Sequence, residues 1–205
     1  FMPSYTAPTK DMQFVLHDVL KVTASDTPGY ADLEPDFTSA ILEEAGKLTS
    51  EVLTPLNIVG DQEGCRLENG VVYTPKGFKE AFGKVKEGGW TGLDMPEQYG
   101  GGGLDFTFAA LVLERCRYQG LDFGIAVHSD IVAPYINKYG TEAQKQKFIS
   151  KMATGEWVGS IGMSEPSAGS DLKSLKTTAT DIGDHYLVNG SKTFITSGYV
   201  CEFCC

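Results

Sequence analysis

The chain has 205 residues, with 17 basic against 27 acidic side chains and a net charge of −10. That balance argues against nucleic acid or an anionic membrane surface as the main partner, and no run approaches the about 18 consecutive apolar residues of a membrane helix. A hydrophobic share of 41% supports a folded core, and 24 glycines, well above the usual share of ~7%, point to tight turns or close backbone approach.

The first twenty residues carry neither a basic segment followed by an apolar one nor an Arg-rich helix, so a cytoplasmic protein is expected. Cys65 and Cys116 stand alone, while Cys201, Cys204 and Cys205 crowd the end. Without an export signal a disulfide framework is not expected. The Cys201-x-x-Cys204 spacing lacks a second ligand pair, so no metal site is expected either.

In chain order, residues 1–31 read as an appended arm punctuated by Pro3, Pro8, Pro28 and Gly29, with a short helix over 11–22. Phe37, Ile41, Ala45, Leu48 and Val52 then share one helical face, and Pro55 ends that run. A loop follows through Gly60, Gly64 and Gly70. Thr74 and Pro75 open the next helix, whose apolar face is Phe78, Ala81, Phe82 and Val85, and Gly88-Gly89 stops it.

The run Gly100–Gly103 reads as a flexible loop between helices, and it lacks the strand-then-helix setting of a dinucleotide fingerprint. Further helices are expected over 105–118, over about 122–138 with Pro134 inside, and over 142–152 capped by Thr141. After Gly155 the pattern changes to short strands over 157–164 and 176–182. A hairpin over 186–194 is then expected to turn at Asn189-Gly190. Helices first and strands afterwards indicate a helical domain followed by a separate β domain.

The most informative segment is Gly162-Met163-Ser164-Glu165-Pro166-Ser167-Ala168-Gly169-Ser170-Asp171, a strand running into a turn of small residues. Such a turn can aim successive backbone N–H groups at an anion, although an ordinary β-turn has the same texture. The run resembles the signature of the acyl-CoA dehydrogenases, with Ser174 as its last constrained position. Pro96-Glu97-Gln98-Tyr99-Gly100-Gly101 upstream and Asn189-Gly190-x-Lys192-x-Phe194-Ile195-Thr196-x-Gly198 downstream resemble two more stretches of that family, in the same order. Residues 3–20 are similar to the extra arm of the 3-methylmercaptopropionyl-CoA dehydrogenase branch.

The resemblance implies an α+β protein: an arm over 1–31, a helical N-terminal domain over 32–156 and, over 157–205, the first part of an antiparallel β-barrel-like domain. It implies FAD as cofactor and α,β-dehydrogenation of an acyl-CoA thioester, with an electron-transfer flavoprotein as acceptor and a homo-oligomeric enzyme. The flavin-binding residues implied are Ile161, Gly162, Met163, Ser164, Gly169, Ser170, Phe194, Ile195 and Thr196. Ser164 is expected at the pyrimidine side, Ser170 at the pyrophosphate and near the acyl-CoA, and Phe194–Thr196 on the isoalloxazine.

Family members take their catalytic base from a C-terminal four-helix domain, so no catalytic residue is expected in this chain, and Glu165 belongs to the flavin loop. Residues 198–205 look aberrant, and Phe1 precedes Met2. Together these lead to the expectation of a partial or frameshifted reading that is inactive alone. His17, His128 and His185 have no triad partners at informative spacing. Two other readings stay open: an acyl-CoA oxidase or flavin monooxygenase of the same fold, and a non-catalytic short binding protein.

Overall fold

The computed structural model describes residues 4–104 and 124–204. The chain divides into two compact units, Phe1–Phe123 and Gly124–Cys205. In the first, helix α1 (Thr9–Gln13) runs into a wider π turn over Phe14–Val19. Met12 and Leu16, four residues apart, point inward and with Val22 pack against Leu33, Leu42 and Ala45. Leu42 and Ala45 belong to helix α2 (Pro35–Lys47). The expected arm is therefore part of the core, and Phe14, Val19 and Leu20 are the exposed side of this segment. Thr38, fully buried on α2, pins the contact: Gln13 Nε2 donates to its hydroxyl at 3.0 Å and His17 Nε2 lies 2.8 Å away.

Pro55 does not end the helical run. A π turn over Leu48–Leu53 leads directly into α3 (Thr54–Glu63), in whose first turn Pro55 sits. A first-turn residue needs no intrahelical donor, so proline is tolerated there. The Thr54 hydroxyl donates to Thr49 O at 2.7 Å across the junction. What looked like loop beyond Gly64 contains a hairpin, β1 (Arg66–Glu68) against β2 (Val71–Tyr73). Asn69 (φ 52°) and Gly70 (φ 79°) form its left-handed two-residue turn.

Helix α4 (Phe78–Glu87) starts three residues later than Pro75, because Gly77 (φ 87°) holds a turn in which Phe78 N–H donates to Pro75 O at 3.3 Å. Ala81 and Val85 bury against Leu53, flanked by Phe82 and Trp90, and Gly88-Gly89 follows the helix as expected. The glycine run is not slack. Gly102 N–H donates to Gly92 O at 2.8 Å, Gly103 N–H to Met95 O at 2.9 Å and Leu104 N–H to Leu93 O at 2.8 Å. Met95 and Tyr99 are buried beneath this lacing. The helix expected over 105–118, with Cys116, lies outside the described residues.

In the second unit, α5 (Gly124–Tyr139) carries Pro134 inside it, and α6 (Glu142–Ala153) packs on α5. Thr141 caps α6 in a reciprocal box with Gln144, whose N–H donates to Thr141 Oγ1 at 3.3 Å. Val132 and Ile136 of α5 and Ile149 and Met152 of α6 are buried.

Strand β3 (Gly159–Ser160) follows, then β4 (Thr178–Asp181) paired antiparallel with β5 (Tyr186–Asn189). The hairpin therefore turns at 182–185, with Gly183 at φ 106°, and not at Asn189-Gly190. Gly190 serves a different need: a Cβ there would lie 2.1 Å from Thr177 Oγ1.

The last residues are also part of the fold. Strand β6 (Phe203–Cys204) pairs in parallel with β3, Val158 N–H donates to Glu202 Oε2 at 3.0 Å, and the Phe203 ring lies 4.5 Å from Phe148. Among the described residues, Cys65 and Cys201 are free thiols, and no helix is long and apolar enough to cross a membrane.

Candidate flavin-binding site

Ser160 leaves β3 fully buried, and its hydroxyl donates to Thr196 O at 2.7 Å. Four residues on, Thr193 N–H donates to Ser164 O at 3.0 Å, and Lys192 Nζ donates to Met163 O at 3.1 Å. These three bonds lay 161–164 alongside 193–196, so two expected site segments about thirty residues apart in sequence come together. A tight turn follows, in which Glu165 N–H donates to Ala168 O at 2.8 Å and Ala168 N–H donates back at 3.1 Å. Pro166 at the second position of that turn has the φ it requires. Gly169 and Ser170 lie beyond it, exposed.

Phe194 is the unusual residue. It is 95% exposed and sits at φ 55°, with Ser197 at φ 61° close behind. A bulky residue in the left-handed region costs of order 1 kcal/mol or more and persists where the surroundings impose it. Here Thr193 and Thr196, on either side of Phe194 and Ile195, are both anchored. The ring thus stands out from the surface; Met163 is also half exposed, Ile195 half-buried and Thr196 exposed. An exposed aromatic face on a backbone anchored on both sides suits a flat apolar ring system better than it suits water.

Glu165 is buried, and its carboxylate accepts four hydrogen bonds. Lys176 N–H donates to Oε2 at 2.7 Å, while Thr177 N–H (3.0 Å), Thr177 Oγ1 (2.5 Å) and Lys192 Nζ (2.9 Å) all donate to Oε1. These donors, the Thr177 hydroxyl first, pull its pKa from 4.5 down to about 2. A carboxyl depressed in the folded state stabilises fully above its unfolded pKa and loses that contribution as pH falls through the folded one. Trp157 emission, followed from pH 5 to pH 2, is expected to report loss of the second unit's stability between about 4.5 and about 2. Glu165→Gln is expected to flatten that part of the profile.

Sequence reasoning placed Ser164, Phe194 and Thr196 in the site but gave no role to Ser160, Thr177 or Lys192. Lys192 was visible three residues after Asn189, yet only the fold shows what its ammonium reaches.

The sequence matches the acyl-CoA dehydrogenase N-terminal domain over residues 36–156 and the acyl-CoA dehydrogenase middle domain over residues 160–205. The chain belongs to the acyl-CoA dehydrogenase family. The middle-domain match runs through the last residues, in agreement with the pairing of β6.

The chain is 36% identical to 3-methylmercaptopropionyl-CoA dehydrogenase of Ruegeria pomeroyi over 95% of its length and 34% of that protein. It is 41% identical to the mouse mitochondrial long-chain specific acyl-CoA dehydrogenase over 60% of this chain and 29% of the relative. Butyryl-CoA dehydrogenase of Megasphaera elsdenii has a similar structure, with TM-score 0.66 and 31% identity, covering 82% of this chain and 43% of that one. The chain thus spans about a third of the length of the curated relatives it matches. Members of the family are FAD-dependent flavoproteins.

Proposed function

We propose that residues 1–205 carry the flavin-binding part of an FAD-dependent acyl-CoA dehydrogenase, organised as an N-terminal segment over 1–31, a helical domain over 32–156 and a β domain over 157–205. The observation that carries this reading is the joining of 161–164 to 193–196 with Phe194 standing exposed between two anchored residues. In this reading Ile161, Gly162, Met163 and Ser164 line the pyrimidine side of the flavin, and Gly169 and Ser170 meet the pyrophosphate. Phe194, Ile195 and Thr196 take the isoalloxazine, with Ser170 also near the acyl-CoA.

When bound, FAD accepts the hydride lost from the β carbon of the thioester. The chain's own part is to bind and orient. Phe194 covers the ring and excludes water, and the Thr196 hydroxyl offers a donor where charge arrives. The base that removes the α proton is drawn from outside residues 1–205, a view supported by Glu165, whose carboxylate is committed to four donors. Electrons pass on to an electron-transfer flavoprotein, and the enzyme works as a homo-oligomer.

Titrating the purified chain with FAD, read by flavin fluorescence and calorimetry, tests this reading. One molecule per chain is expected to bind, and Phe194→Ala is expected to weaken it three- to tenfold, the size of an aromatic stacking contact of about 0.5–1.5 kcal/mol. No binding up to about 1 mM overturns it.

A further inference from the structure

A buried carboxylate is costly unless paired and fully hydrogen-bonded, and Glu165 meets that demand by drawing on separate pieces of chain. Lys176 and Thr177 approach it from just before β4, and Lys192 from just after β5. The ammonium of Lys192 does more than neutralise. It donates to Glu165 Oε1 at 2.9 Å and to Met163 O at 3.1 Å, so it grips the loop on both sides of Ser164. The next residue along, Thr193, donates its N–H to Ser164 O, and Phe194 follows. Lys192 and the carboxylate that holds it thus act with the Thr193 and Ser160 bonds in setting the spacing between Ser164 and Phe194.

We propose that Glu165 and Lys192 are positioning residues, a clamp that sets Ser164 and the Phe194–Thr196 segment at the separation needed to receive the flavin. This rests on the FAD reading above and adds to it two residues that act by holding others in place. Every donor to the Glu165 carboxylate comes from the chain itself, and a site fixed by such bonds binds at a lower ordering cost.

The test uses the whole chain and two readouts. Amide hydrogen exchange is measured without ligand, and FAD affinity is measured by titration, for wild type, Glu165→Gln, Lys192→Met and Lys192→Arg. Both Glu165→Gln and Lys192→Met are expected to speed exchange at the Thr193 amide by at least about tenfold while the amides of α6 lose much less protection. FAD affinity is expected to fall on the order of tenfold in both, the size of one lost charged hydrogen bond. Lys192→Arg, which keeps the charge and several donors, is expected to recover most of the loss. Ile149→Val, a mild core change in α6, serves as a control and is expected to keep wild-type affinity despite lower stability.

Wild-type affinity in Lys192→Met overturns the clamp, as does unchanged protection at Thr193 or an equal loss of protection throughout α6. If wild type itself binds no FAD, the FAD reading fails. Exchange at Thr193 then decides the clamp by itself, and unaltered protection in Lys192→Met overturns it.

Discussion

Gly190→Ala is expected to destabilise the second unit by about 3 kcal/mol, combining overpacking of roughly 1–3 kcal/mol with one lost hydrogen bond. A Cβ at this position would lie 2.1 Å from Thr177 Oγ1, 2.6 Å from its Cβ and 2.7 Å from its Cγ2. Threonine is stiff about χ1, and this hydroxyl is donating to Glu165, so it cannot swing aside without giving up that bond. Urea unfolding followed by Trp157 emission, in a Trp90→Phe background, reads the loss.

A second variant separates two explanations for the glycine. Adding Thr177→Gly to Gly190→Ala removes the crowding atoms, so the pair is expected to be less destabilised than the sum of the two singles. Had Gly190 been needed for a left-handed turn, removing Thr177 would bring no relief. Additive losses would therefore defeat the close-approach account.

Gly101→Ala is expected to have a larger effect, a loss of more than about 3 kcal/mol in the first unit. Its Cβ would meet backbone: Met95 O at 2.1 Å and Met95 C at 2.4 Å. That carbonyl accepts from Gly103 N–H, and Gly102 N–H is held by Gly92 O, so neither side of the contact can give way cheaply. Neighbouring Gly100 makes the comparison. It sits at φ 88° with nothing within 4 Å of a built Cβ, so Gly100→Ala pays only backbone strain, of order 1–2 kcal/mol. Trp90 emission in a Trp157→Phe background distinguishes the two. Equal losses at 100 and 101 would show that packing against Met95 is not what the glycine run is for.

Local signals in the sequence were read correctly where a few neighbouring residues settle the outcome. Thr141 with Gln144 caps α6, Gly88-Gly89 follows α4, and Pro134 lies within α5. Family membership was equally legible, because the flavin-loop pattern over 162–171 and the Asn189–Gly198 pattern constrain many positions together. Helix continuity through Pro55 was harder to read. It depends on a widened turn over Leu48–Leu53, which no single residue announces.

The sequence by itself determined the family and the change from a mainly helical first part to short strands after Gly155. Only the tertiary structure decided what the two Asn-Gly pairs do. At Asn69-Gly70 nothing crowds the glycine and both residues adopt positive φ, giving a two-residue hairpin turn. At Asn189-Gly190 the same dipeptide lies opposite Thr177, and the missing side chain makes room for a hydroxyl that reaches Glu165. Whether a buried carboxylate finds its donors depends on which strands meet across a hairpin, and that pairing joins residues too far apart in the chain for any local pattern to record.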